Sequence, residues 1–231
     1  MNKVCTALLC ISLILLTLTL SIALPIYIRP FYYMQIEELG IPERTGYDKE
    51  TVKAAYDQVL DYLTLPGKEF GTGVFPYSEE GKSHFEDVRG LFVLNGSVLL
   101  SALAVTAILL WCKGKGYFRL SRPFGKHYLL SCGGGTLLFM AVLGAVASVN
   151  FEKSFEVFHR IFFPGKDNWI FSASEAGIIL AMPMEFFLRC GLLFLCGAVS
   201  ISLAMCLLGR QRDRRGKKGA SAEALANTLK N

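Results

Sequence analysis

The chain has 231 residues, 52% hydrophobic and 19% charged, with mean hydropathy +0.41 and net charge +5. Soluble domains carry about 45–50% apolar and roughly 25% charged residues. Here the apolar excess is gathered into four runs, each long enough to cross a bilayer at about 20 residues, which excludes a soluble globular fold and a disordered chain. The first run exceeds the about 7–15 apolar residues of a signal peptide, which excludes a secreted protein with a cleaved leader.

In chain order, Lys3 precedes the first span, 4–28. Residues 29–89 are too polar to span and too long for a turn. Within them Val52, Tyr56, Val59, Leu60 and Leu63 recur at helical spacing, predicting an amphipathic helix over Asp48–Leu63 that Pro66 and Gly67 terminate. Ser83-His84-Phe85-Glu86 matches the S-x-x-E capping box and is expected to start the helix of the second span, 90–112.

The loop 113–126 carries Lys113, Lys115, Arg119, Arg122 and Lys126 and no acid. The third span, 127–149, holds Gly133, Gly134, Gly135 and Gly144, which suit close helix packing; no strand precedes them, so a phosphate loop is not expected. Segment 150–176 is aromatic, with Phe151, Phe155, Phe158 and Phe162 at helical spacing, then Phe163, Trp169 and Phe171. A helix with one aromatic face belongs at the headgroup level. The fourth span, 177–208, leads into a basic tail, 209–231, expected to be disordered and to touch anionic lipid rather than nucleic acid.

Charge sorts by segment. Lys3, the loop 113–126 and the tail total +11, the segments 29–89 and 150–185 total −7, and Arg189 stands alone in the fourth span. Short basic loops stay in the cytoplasm, so both termini and the basic loop are expected inside and both larger loops outside. The fold class is therefore an all-α membrane protein. It is a four-transmembrane-helix bundle with a larger first and a smaller second extracytoplasmic helical segment. All seven cysteines lie in or beside the spans with no Cys-x-x-Cys, excluding a membrane disulfide oxidoreductase and fitting small packing residues.

This topology sorts the histidines. His84 and His159 fall on the outer side and His127 about 30 Å away on the inner side. A lone interfacial histidine such as His127 reads as structural, whereas two converging at one interface are a candidate catalytic pair. With Ser83 as cap, His84 would sit at the first helical position, where backbone dipoles disfavour imidazolium. Asp87 is near enough to orient its ring. No metal is expected, since only Glu86, Asp87 or Glu156 could complete a ligand set and no ligand spacing exists. Glu185 and Arg189, four apart, are either a structural ion pair or an anion contact facing the histidines. Asn95, three helical turns beyond His84, reads as an interhelical hydrogen-bonding residue.

Tyr77–Arg89 around His84, and Phe158-His159-Arg160-Ile161-Phe162-Phe163 with Asn168-Trp169-Ile170-Phe171, resemble the two external signatures of the lipoprotein intramolecular transacylase (Lit) family. The spans and loop lengths match over about 1–208, with the basic tail outside the resemblance. The resemblance implies a bacterial cell-membrane acyltransferase acting on diacylated lipoproteins, with membrane lipid its surroundings, no nucleic-acid partner and no cofactor. It implies transfer of the sn-2 acyl chain of an S-diacylglyceryl cysteine to the α-amine, with His84 and His159 the essential pair. Arg189, Asn168, Trp169, Ser83 and Asp87 are candidate substrate-binding or oxyanion residues. Two other classes stay open: a lipoprotein-binding or membrane-organising protein without catalysis, insensitive to loss of either histidine, and a membrane lipid-ester hydrolase, releasing free fatty acid. The absence of repeats and of intramembrane polar rows argues against a transporter.

Overall fold

The computed structural model describes residues 2–170 and 177–228; Phe171 and the rest of 171–176 lie outside the described residues. Every regular element among the described residues is helical. In chain order these are α1 (Asn2–Tyr27), α2 (Pro30–Tyr33), α3 (Gln35–Glu38), α4 (Ile41–Thr45), α5 (Lys49–Thr64), α6 (Glu79–Gly114), α7 (Tyr128–Val149), α8 (Phe151–Phe162), α9 (Ile178–Ala181) and α10 (Met184–Thr228). A 3-10 turn, Pro123–Gly125, precedes α7.

α1, α6, α7 and α10 are long and apolar enough to cross a membrane. Their outward faces carry bare aliphatic side chains, such as Leu100 at 67% and Leu138 at 68% exposure, which water would penalise and lipid accepts. At 36 residues α6 is about 54 Å long, well beyond a hydrocarbon core of about 30 Å, so part of it stands clear of the membrane.

Three elements differ from the sequence reading. α6 starts at Glu79 rather than after Ser83: the Ser78 hydroxyl accepts from Gly81 N–H at 3.1 Å, so Ser78 caps the helix and Ser83 lies inside it. The fourth hydrophobic run is broken at Met182-Pro183, since proline has no N–H and disfavours helix in the residue before it. α9 therefore ends at Ala181 and α10 begins at Met184. α10 also continues to Thr228 through the basic residues read as disordered, a stretch rich in the helix formers Arg, Lys and Ala.

The chain divides into two compact units. One comprises Ser21–Ser97 and Gly144–Leu195. Its core gathers the apolar faces of the short helices with α5, and Tyr32, Ile36, Ile41, Val52, Val59 and Ile178 are wholly buried. Asp48 caps α5 by accepting from Thr51 N–H at 2.8 Å. Tyr32 stacks on Tyr56 with ring centroids 3.7 Å apart, and its hydroxyl donates to the Ala181 carbonyl at 2.6 Å. Arg29 is held by Asp57 and Asp61, and the Tyr33 hydroxyl also donates to Asp57.

The other unit comprises Met1–Leu20, Val98–Leu143 and Cys196–Asn231. Here Thr106 donates to Ser12 at 2.9 Å, a buried hydrogen bond between α6 and α1. A Cβ at Gly133 would lie 2.6 Å from the Ser202 carbonyl oxygen, so α7 and α10 approach backbone to backbone. Gly134 and Gly135 face open space. His127 has a structural role: its Nδ1 accepts from Leu129 N–H at 3.3 Å, and its own N–H donates to Asp213.

Candidate functional site

His84 lies five residues into α6 and six before the hydrophobic run that opens at Gly90, so it stands about 9 Å outside that run. His159 lies on α8, which Asn150 caps by accepting from Lys153 N–H at 2.8 Å. The two elements bring the imidazoles together, with ring centroids 5.7 Å apart and exposures of 8% and 6%. The four phenylalanines of α8 share one side of the helix, as their spacing requires, but differ in what covers them. Phe155 turns inward against His159 and Phe187, while Phe158, Ile161 and Phe162 stay exposed.

His159 Nδ1 lies 2.8 Å from the Phe155 carbonyl oxygen one turn earlier. A carbonyl can only accept, so Nδ1 carries the proton and Nε2 of the neutral ring has a free lone pair. The Trp169 ring packs on His159 at 4.9 Å and 33°, and Phe163 meets His84 edge-on at 5.1 Å.

Burial sets the charge state of the pair. It pushes the His84 imidazole down to about 4; the neighbouring His159 and then Lys166 add to this, and Asp87 works against them. His159 is also lowered, by burial, partly offset by its bond to Phe155. Both rings are therefore neutral at pH 7. The helix start is not the cause expected for His84. The macrodipole effect fades within the first turn, and the cap is Ser78.

A turn and loop, 163–170, follows α8. Asn168 Nδ2 donates to Asp87 Oδ2 at 3.0 Å and to Ser83 Oγ at 3.3 Å, and Lys166 Nζ meets Asp87 Oδ1 at 2.6 Å. Burial would raise the Asp87 carboxyl, but the bonds from Lys166 and Asn168 hold it below its usual value. Asp87 thus anchors the loop. The carboxylate fixes the Asn168 amide with nitrogen toward it, so Oδ1 points elsewhere and has no hydrogen-bond partner among the described residues. Trp169 Nε1 donates to the Lys166 carbonyl at 3.0 Å, so its ring rather than its N–H faces the histidines.

Arg189 and Glu185 do not pair with each other. Arg189 binds Glu38, and Glu185 binds Arg44 at 3.3 Å. No ion pair or hydrogen bond links Arg189 to either histidine among the described residues. Lys166 and the Phe155 carbonyl were not legible as site groups, one being an ordinary loop lysine and the other a backbone atom. No cluster of three metal-ligating side chains occurs among the described residues.

A pair of neutral imidazoles, one with a fixed basic nitrogen, in an aromatic setting beside the membrane can move protons during acyl transfer. The sequence matches the family described as lipoprotein intramolecular transacylase Lit over residues 7–187. No curated protein matches. Among solved structures, that of the membrane-integral lipoprotein intramolecular transacylase Lit of Bacillus cereus has 25% identity and a TM-score of 0.84, covering 94% of this chain and 98% of that one. Two histidine variants of the Bacillus cereus protein match at 24% identity. The arginine variant has a TM-score of 0.77 and coverage of 95% of both chains; the alanine variant has 0.78, covering 94% of this chain and 96% of that one.

Proposed function

Since the chain belongs to the lipoprotein intramolecular transacylase family and is a membrane acyltransferase, we propose that His84 and His159 carry its reaction on a diacylated lipoprotein at the extracytoplasmic face. The sn-2 acyl chain of the S-diacylglyceryl group moves to the α-amine of the same cysteine. The basic loop 113–126 and the basic stretch after Leu208 support an orientation with both termini inside.

The observation that carries this reading is the fixed tautomer of His159. Its Nε2 lone pair accepts a proton from the α-ammonium, whose pKa is about 8. The freed amine forms a C–N bond to the ester carbonyl carbon, and the carbonyl electrons move onto oxygen. His84 donates to that oxyanion. In the tetrahedral intermediate the nitrogen still carries two hydrogens. His159, having released the first proton to solvent, takes one of them, and as collapse breaks the C–O bond to glycerol that proton passes to the leaving alkoxide. The products are an amide, a free glycerol hydroxyl and the one proton released from the α-ammonium, with no co-reactant.

Asn168 Oδ1 is oriented to accept from the substrate ammonium, which needs acceptors, not donors. Trp169 and Phe163 cover the two rings and exclude the water that would divert the acyl group to free acid. Since donor and acceptor belong to one molecule, the enzyme gains chiefly by orienting them.

The test is mass spectrometry of lipoprotein N-termini from cells carrying the wild type, His84→Ala or His159→Ala. Loss of N-acylated lyso-form product, by about 10²-fold or more for a general base, supports the assignment. Product at the wild-type level in either variant removes that histidine from it. Free fatty acid in place of the amide would instead mark a hydrolase.

A further inference from the structure

The basic loop encloses a second feature that the acyl-transfer site leaves unused. Where α6 ends and α7 begins, a cavity of about 490 Å³ is lined by Lys113, Phe118, Arg119, Arg122, His127 and Tyr128, among others. That volume falls within the range of about 300–1,000 Å³ typical of small-ligand sites. Its lining has six side chains able to donate to an anion, three of them cationic, and no carboxylate.

The cradle is held in shape from several sides. Tyr117 N–H donates to the Cys112 carbonyl at 3.1 Å, closing the end of α6 around Gly116, whose φ is +80°. The loop is tied to α1 by Arg119 N–H donating to Asn2 Oδ1 and Ser121 N–H donating to Thr6 Oγ1 at 2.8 Å. Asp213 meets Arg122 at 3.3 Å and offsets that one charge. Neither Lys113 nor Arg119 forms an ion pair among the described residues. Nδ1 of His127 accepts a backbone N–H, so the neutral ring carries its proton on Nε2 and adds a donor. Exposed aromatic rings stand beside it, Trp111 at 58% and Tyr117 at 63%, as is usual at a membrane–water boundary.

We propose that this cavity binds a phosphate ester, as presented by the headgroup of an anionic phospholipid. Two unpaired cations in a preformed loop match a phosphodiester, and the flanking aromatic and aliphatic surface suits the glycerol and upper acyl chain. The site is independent of the histidine pair and of the direction in which the protein is inserted.

The whole protein in neutral detergent, mixed with equal dioleoyl-phosphatidylglycerol and dioleoyl-phosphatidylcholine, is examined by native mass spectrometry. Adducts should favour phosphatidylglycerol by about tenfold or more. Lys113→Gln with Arg119→Gln should bring the ratio near one, while Lys217→Gln with Lys218→Gln, removing equal charge from exposed positions, leaves it high. A ratio near one in the wild type, or the same fall in both double variants, overturns the proposal. If Lys113→Gln with Arg119→Gln loses transacylase activity or monodispersity, the wild type in 1 M NaCl decides: a preference that survives this screening overturns the proposal, and one that is lost supports it. Displacement of the lipid by millimolar sn-glycerol 1-phosphate assigns the site to a soluble phosphate ester; failure to displace assigns it to the membrane lipid.

Discussion

Replacing Asp87 by alanine would release the loop 163–170 while leaving both histidines in place. Two contacts disappear, Lys166 Nζ at 2.6 Å and Asn168 Nδ2 at 3.0 Å. The Lys166 pair is partly solvated, with side chains 48% and 23% exposed, so it contributes about 0.2–1 kcal/mol. The hydrogen bond from Asn168 to a carboxylate contributes about 1.5 kcal/mol, at the lower end for charged acceptors because the site is half-buried. Together they favour the ordered loop by about 2 kcal/mol, or roughly 30-fold in population. If the ordered loop is the reactive one, kcat/KM for a diacylated lipopeptide falls by about that factor. Lys166→Ala, which removes only the weaker contact, costs at most about fivefold. Conversion is measured by mass spectrometry in lipid cubic phase or nanodiscs. Loop order is followed by Trp169 emission in a Trp111→Phe background, which leaves Trp169 the sole tryptophan and reports its stacking on His159. Full activity in a folded Asp87→Ala protein would refute the reasoning. So would Lys166→Ala matching it in severity, or unchanged emission alongside lost activity.

The lowered His84 pKa makes stability depend on pH. A buried imidazole held down at about 4 against about 6.5 in the unfolded chain contributes stability that is present above pH 6.5 and lost as pH falls toward 4. The loss approaches about 3 kcal/mol, and thermal melts in detergent should show it shrink in His84→Gln. Activity falls as pH drops through the lowered pKa of His159, because its protonated ring cannot accept the ammonium proton. At Gly133, valine would drive its side chain into the Ser202 carbonyl and Cys206 Sγ, 2.6 and 2.8 Å from the added Cβ. Melting should fall by an amount equivalent to about 1–3 kcal/mol, while valine at Gly134, which faces open space, has far less effect.

The four membrane-crossing helices were legible because hydropathy is a property of a single stretch of chain, as was the amphipathic face of α5. The pairing of His84 with His159 was legible for a related reason: charge asymmetry sorts loops by side, and two of three histidines fall in segments of the same sign. Local rules failed where distant partners compete. Glu185 and Arg189 satisfy the i,i+4 pairing rule, yet each binds a residue more than 140 positions away, Arg44 and Glu38. The capping box at Ser83 was a sound pattern placed one turn late. Ser78 offers the same hydroxyl earlier, and nothing between the two interrupts the helix. The loop anchor on Asp87 left no local signal, since Lys166 and Asn168 lie about 80 residues from it.

The break before Pro183 has an effect beyond ending α9. In an unbroken helix the Ala181 carbonyl would accept from the N–H four residues on and have little left to offer. With the helix interrupted, that oxygen is released from its own strand of bonds and receives the hydroxyl of Tyr32, 149 positions earlier. Proline here acts as a fastener by interruption: its missing N–H would have served Ile179, but the break it imposes also takes the Glu185 N–H out of line with Ala181 and leaves that carbonyl as an acceptor on which another segment can hook. Restoring a regular helix would make that carbonyl serve two claimants, so greater local regularity would come at the expense of the tie holding the outer helices in place.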